Sequence, residues 1–297
     1  MTTIAISAPA RARAAEGRIA GQRGGVRYLV GAICVFLIAL MLAPLVFSLL
    51  ASLKPSAEAA AVPPTYLPSA LSIENYLKVF EWQQGLGSYL LNSLGTAALA
   101  IVMCLVLSVT AGYGLARFKI PGKEIIFLIL LAPLMIPYQA LLIPLYLTFS
   151  KIGLANSLLG LAIVHTILQV PFSVYLMRNA FESVPRELEE AAVIDGCNPL
   201  QSFRRVFLPL VLPGLVTVAL FAFITSWNEF LAALIFMNKE TSFTIPILLV
   251  SVRTGHLGAV DWGALQAGVM VSIIPCVLIY VLLQKYYVSG LLSGAVK

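Results

Sequence analysis

Few side chains in this 297-residue sequence could do chemistry, and those few are scattered through apolar runs. Glu229 lies beside Asn228 in a stretch of Leu, Ala, Val and Phe, and an ionisable group in hydrocarbon is a functional candidate because its burial is costly. Solvation near the outer end of its span, or a bond that only holds neighbouring helices, is the plainer account. His165 and Gln169 fall at i, i+4 on one helical face close to Pro171, where they could line a polar path or hydrogen-bond between helices. Tyr138, Tyr146 and Trp227 offer ring faces for stacking on sugars, although aromatics more ordinarily sit at membrane interfaces. Enzymatic patterns do not occur. The string nearest a phosphate loop, Pro121-Gly122-Lys123-Glu124, lacks the first glycine and the hydroxyl residue. His-Glu-x-x-His and Gly-x-Ser-x-Gly are missing, and His165 and His256 are far apart in sequence. We therefore expect no catalytic residue and no metal site in this chain.

A polar stretch from Pro185 to Pro209 interrupts the apolar runs. Pro185 pre-sets the first turn of a helix, Glu187, Glu189 and Glu190 complement its positive end, and Gly196 supplies the left-handed residue that closes it. Asn198 then caps a second helix with Pro199 at its first position, and Gln201 stands where a capping box wants a residue reaching back. The expected product is two short helices joined by a tight turn, with Leu188, Ala191, Ala192 and Ile194 on one face. A helix-turn-helix can bind DNA, but Arg186, Arg204 and Arg205 are matched by acids here, so nucleic acid is not an expected partner.

These residues are set in a chain that is 60% hydrophobic and only 11% charged, which excludes a soluble globular reading. Apolar runs of spanning length lie at about 28–51, 89–115, 125–147, 158–177, 208–237 and 264–287, giving six transmembrane helices in an all-α polytopic membrane protein. Pro133, Pro137 and Pro144 should kink or break the third span, and Pro213-Gly214 should bend the fifth. Residues 1–27, rich in Ala, Gly and Arg, are expected to form a disordered tail, leaving 28–297 as the membrane domain. Arg11, Arg13, Arg18, Arg23, Arg27, Arg117, Lys119, Lys123, Arg178, Arg186, Arg204, Arg205, Lys285 and Lys297 fall on one side of this scheme. Lys54, Lys78, Lys151, Lys239 and Arg253 fall on the other. The net charge of +6 is thus a topology signal that puts both termini and the 184–207 loop in the cytoplasm. The four cysteines, Cys34, Cys104, Cys197 and Cys276, lie far apart and read as small packing residues.

Glu190-Ala191-Ala192, then Asp195-Gly196, then Phe203 and Pro209, resembles the EAA motif of bacterial ABC importer permeases. Asn92-Ser93, Ala116-Arg117-Phe118, Ile136-Pro137, Ile143-Pro144-Leu145-Tyr146, Ser226-Trp227-Asn228-Glu229-Phe230 and the closing 290–297 stretch are similar to the MalG-type subgroup of carbohydrate importer permeases. Cys197 stands where that family usually has a small residue such as Ala. The resemblance implies a type I importer permease fold in a bacterial inner (plasma) membrane, with 184–207 as a coupling-helix loop seated in a groove of an ATPase. It implies as partners a second related permease, two ATP-binding subunits that hold the ATP and Mg, and an extracytoplasmic solute-binding protein. Glu190 is expected to pair with a basic residue of the ATPase, Ala191 and Ala192 to allow close approach, and Gly196 to make the turn. Tyr138, His165, Gln169, Asn228 and Glu229 remain candidates for a substrate pathway. The expected cargo is a sugar, oligosaccharide or polyol, the alternative being a glycerophosphodiester or other polar solute. An ion-coupled secondary transporter is disfavoured, because Glu229 is the one acid within the spans.

Overall fold

The computed structural model describes the backbone of residues 10–295 apart from 62, 64 and 255–259, and the side chains of 26–284 apart from 62, 64 and 254–259. His256 and the side chains of the closing 290–297 stretch lie outside the described residues. All regular structure among the described residues is helical: α1 (Ala10–Ser52), α2 (Glu74–Phe80), α3 (Leu86–Arg117), α4 (Lys123–Leu131), α5 (Tyr138–Lys151) and α6 (Leu158–Glu182). After these come α7 (Arg186–Ile194), α8 (Pro199–Leu210), α9 (Leu212–Asn228), α10 (Leu231–Phe236), α11 (Ile245–Thr254) and α12 (Trp262–Ala295). Helix α1 begins inside the stretch read from sequence as a tail, and its apolar part runs from Val26.

Four helices, α1, α3, α6 and α12, are each long and apolar enough to cross a bilayer. Two bent pairs, α4 with α5 and α8 with α9, pass the same test together and bring the number to 6. The bends have proline causes. Ile136, just before Pro137, is driven into extended backbone (φ −92°, ψ 129°), and α5 leaves at 100° to α4. The 72° bend between α8 and α9 falls at Val211, two residues ahead of Pro213, close to the Pro213-Gly214 site read from sequence. The fifth span also breaks a second time at Glu229 (φ −72°, ψ 122°), where no proline or glycine stands.

Helix α6 is the axis of the packing, with 56% of its most apolar stretch buried against 33% for α3, 11% for α12 and 0% for α1. Apolar flanks of α1 and α12 are thus left to lipid or another chain. Helices α3 and α6 approach closely because Gly112 has no side chain: a Cβ there would lie 2.8 Å from that of Met177. One apolar cluster, including Met177, Phe181, Phe207 and Val218, binds α3, α6, α8 and α9 at the α7 end. At the opposite end, α2 is held to α1 and α12 by polar bonds. Asn75 donates to the Ser52 and Lys54 carbonyls at 3.1 and 2.7 Å, and Lys78 meets Asp261 at 3.1 Å.

Candidate functional site

Helix α7 starts after Pro185 with Glu187 and Glu189 in its first turn, where carboxylates stabilise the positive end of the dipole. It ends in a Schellman motif: Gly196 N–H donates to Val193 O at 3.0 Å and Cys197 N–H to Ala192 O at 2.9 Å. Gly196 makes this possible at φ +79°, a backbone that side chains disfavour. Two residues on, Asn198 Oδ1 accepts from Gln201 N–H and Gln201 Oε1 accepts from Asn198 N–H, both at 2.9 Å, completing the capping box at the head of α8. The loop is therefore a pair of capped helices with little slack.

Within this unit Ala192 is buried at 5% exposure, whereas Glu190, Ala191, Asp195 and Gly196 face solvent. Ile194 and Val193 are 86% and 63% exposed and form an apolar tip beyond the acids. A groove of about 810 Å³ runs between α7 and the α3–α4 connection, lined by Arg117, Phe118, Lys119, Lys123, Glu190 and Ile194 among others. Pro209 is exposed on α8. Having no N–H, and crowding the carbonyl four residues back, it sits beside a widened π turn over Phe203–Phe207 in which Leu208 N–H reaches Phe203 O.

Tyr113 and Arg117, one turn apart on α3, fasten this unit to the spans. The Tyr113 ring lies 4.8, 5.3 and 5.3 Å from the rings of Phe203, Phe207 and Phe181, within the range of favourable aromatic pairs. Arg117, its side chain 5% exposed, donates to the Phe181 and Val184 carbonyls at the C-terminus of α6, both at 2.5 Å. The same guanidinium lies 3.6 Å from Glu189 and 4.6 Å over the Phe207 ring. In the sequence Arg117 stands as a topology charge and as part of the Ala116-Arg117-Phe118 stretch, and nothing there gives Tyr113 a role. The available signal was the spacing, an aromatic and an arginine at i, i+4 ending a span.

The intramembrane candidates divide. His165 and Glu229 come together, with Gln169 one turn along α6: His165 Nδ1 and Ser226 Oγ are 2.7 Å apart, His165 Nε2 lies 3.6 Å from Glu229, and Thr225 donates to Gln169 at 3.2 Å. Glu229 is buried, not solvated, and its two oxygens accept the Ala232 and Ala233 N–H groups that open α10, at 3.0 and 3.1 Å. A carboxylate cap thus holds the second break in the fifth span. Asn228 points elsewhere, bonding back to Ile224 O at 2.8 Å and lining a separate cleft with Trp227, Phe230 and Pro246. Tyr138 packs against the buried cluster that includes Leu142, Phe149 and Phe236 and lines a cleft with Leu168 and Leu145. Trp227 is buried, stacked on Phe223 and donating to Ser272 O, so it is neither an interface anchor nor free to stack on a sugar. Tyr146 packs edge-on against Phe236. Among the described residues no group of three or more His, Cys, Asp or Glu could hold a metal.

Comparison with known proteins agrees with this geometry. YurM of Bacillus subtilis, named a probable ABC transporter permease protein, is 39% identical over 78% of this chain and 76% of its own. SmoH of Agrobacterium fabrum, named a sulfoquinovosyl glycerol transport system permease protein, is 34% identical over 86% of this chain and 88% of its own. A chain from the crystal structure of a bacterial ABC transporter that imports the acidic polysaccharide alginate superposes with a TM-score of 0.74 at 25% identity, covering 92% of this chain and 98% of that one. With residues 106–292 matched, this chain belongs to the binding-protein-dependent transport system inner membrane components, the permeases of ABC transporters.

Proposed function

We propose that the chain is one of two permease subunits of an ATP-driven importer for a sugar, oligosaccharide or polyol, and that residues 184–207 seat in a groove of its ATPase. The observation that carries this is the capped α7–α8 unit: rigid in itself, tipped by exposed Val193 and Ile194, and tied through Arg117 to the end of α6. A push on such a unit moves a span instead of bending a loop. Relatives named for a sulfoquinovosyl glycerol and for alginate support a glycoside cargo. In this reading ATP and Mg are bound by the partner ATPases, both termini and α7 face the cytoplasm, and a solute-binding protein docks on loops 54–88 and 238–263 outside. Closure of the ATPases drives α7 and α8 together and exchanges the inward-open for the outward-open state. The permease gates and transmits; it does not catalyse.

The test is solute-stimulated ATPase activity of the assembled complex in lipid, with the binding protein loaded in turn with sugars, polyols and glycerophosphodiesters. Stimulation by one sugar is the expected result. Stimulation by a glycerophosphodiester alone would correct the cargo, and transport on an ion gradient without ATP would overturn the reading.

A further inference from the structure

Helices α6 and α9 flank the 184–207 loop in sequence and run back from it, so the loop closes a long hairpin. Its other end is tied. His165 stands 17 residues before Glu182, roughly 26 Å along the helix at 1.5 Å per residue, and there α6 meets α9 through His165–Ser226 and Gln169–Thr225. Just past that junction Glu229 caps α10, so α6, α9 and α10 converge on one carboxylate.

That junction is incompletely closed. His165 Nε2 lies 3.6 Å from Glu229 Oε2, beyond ordinary hydrogen-bond length, and this buried nitrogen has no hydrogen-bond partner. The buried amide nitrogen of Gln169 is likewise without one. Glu229 Oε2, which accepts from Ala233, retains a lone pair for a second donor. Buried polar groups are ordinarily satisfied, so a junction in which an unpartnered imidazole nitrogen faces a carboxylate oxygen at 3.6 Å can close by a few tenths of an ångström.

We infer that the His165–Glu229 pair is the transmitting joint of the lever: it closes as the hairpin moves and carries the displacement of α6 and α9 to α10, making His165 and Glu229 positioning residues for transport. This rests on the importer reading. The pair stands roughly 26 Å along α6 from the loop that seats in the ATPase on that reading, so its loss should leave hydrolysis in place and lower the work obtained from it.

The experiment measures solute imported per ATP hydrolysed by the reconstituted complex, with ATPase co-purification as the assembly control. Glu229→Ala should assemble, hydrolyse ATP and lose about fivefold or more of the import ratio, the lower end of ordinary coupling energies. The two His165 variants separate the joint from simple packing. His165→Gln puts an amide nitrogen near the Nε2 position and should hold the ratio near wild type; His165→Asn reaches only the Nδ1 position and should behave like Glu229→Ala. Equal loss in both His165 variants, or an unchanged ratio in Glu229→Ala, would overturn the joint. Should Glu229→Ala fail to assemble, Glu229→Gln keeps one capping oxygen without the charge, and a full ratio in that protein would equally overturn it. A wild-type complex that moves solute without ATP removes the importer reading and the joint with it, whereas loss confined to the variants speaks to the joint alone.

Discussion

At the end of the protein carrying α7, the Arg117 guanidinium is enclosed by two carbonyls, a carboxylate and an aromatic face. At the opposite end, Lys78 and Asp261 meet at 3.1 Å with 37% and 31% of their side chains in solvent. Both contacts join a short helix to a span, but a buried cation with fixed donors resists displacement far more than a solvated pair, which contributes at most about 1 kcal/mol. The enclosed Arg117 contact should therefore carry force better than the solvated Lys78 contact, which is what the proposed lever requires of the α7 end.

Breaking the enclosed contact should have the largest effect. Arg117→Ala strips the donors from the two carbonyls at the end of α6 and removes the stack on Phe207, a loss of roughly 3 kcal/mol for hydrogen bonds made by a charged group. The readouts are the denaturant midpoint of the purified protein and the ATPase that co-purifies, and both should fall. Gly196→Val comes next. Nothing lies within 4 Å of a Cβ there, so the cost is backbone strain alone, about 1–2 kcal/mol at φ +79°. We expect the variant to reach the membrane normally while solute import drops about tenfold, the factor that 1.4 kcal/mol represents; normal uptake would count against the lever. Asn198→Ala opens the capping box for about 1 kcal/mol. Amide exchange over 199–207 should quicken, and unchanged protection would show that packing against Tyr113, not the cap, orders α8.

These differences mark where sequence was informative. The 184–207 loop was legible because its rules are local: Pro185, Gly196, Asn198, Pro199 and Gln201 each act within a few residues, and the structure uses each as its type dictates. The spans were legible from length and apolarity, and the first bend of the fifth span from Pro213. Its second break was not, since a helix stopped by a buried carboxylate cap needs a partner such as His165, 64 positions earlier. Arg117 was visible as a charge, but only packing against Phe181 and Phe207 turns it inward. Trp227 was misread for the same reason, because burial depends on how α9 is rotated against α12, and neither helix's own sequence states that.

The solvated contacts at the α2 end supply the small effects that complete the contrast. Lys78→Ala removes the pair with Asp261 and a 2.7 Å bond to Ser56, and should lower the stability read from denaturant unfolding by less than about 1 kcal/mol, and by less again in high salt. The smallest effect appears only in acid. Glu58 accepts from the Ser69 hydroxyl and N–H at 2.5 and 3.0 Å and from Thr65 at 2.9 Å, closing the loop between α1 and α2. Those bonds, led by the Ser69 hydroxyl, hold its carboxyl below the ordinary value of 4.5. A depressed carboxylate contributes stability that is whole above its unfolded pKa and is lost as pH falls through the folded one, so the clip should hold at neutral pH and open only below about 4.5. Protease nicking of residues 54–72 in the intact protein should rise over that acid range, whereas Glu58→Gln should be nicked equally at every pH. If the wild-type loop opened already near neutrality, or Arg117→Ala proved as mild as Lys78→Ala, the contrast between an enclosed contact and solvated ones would fail.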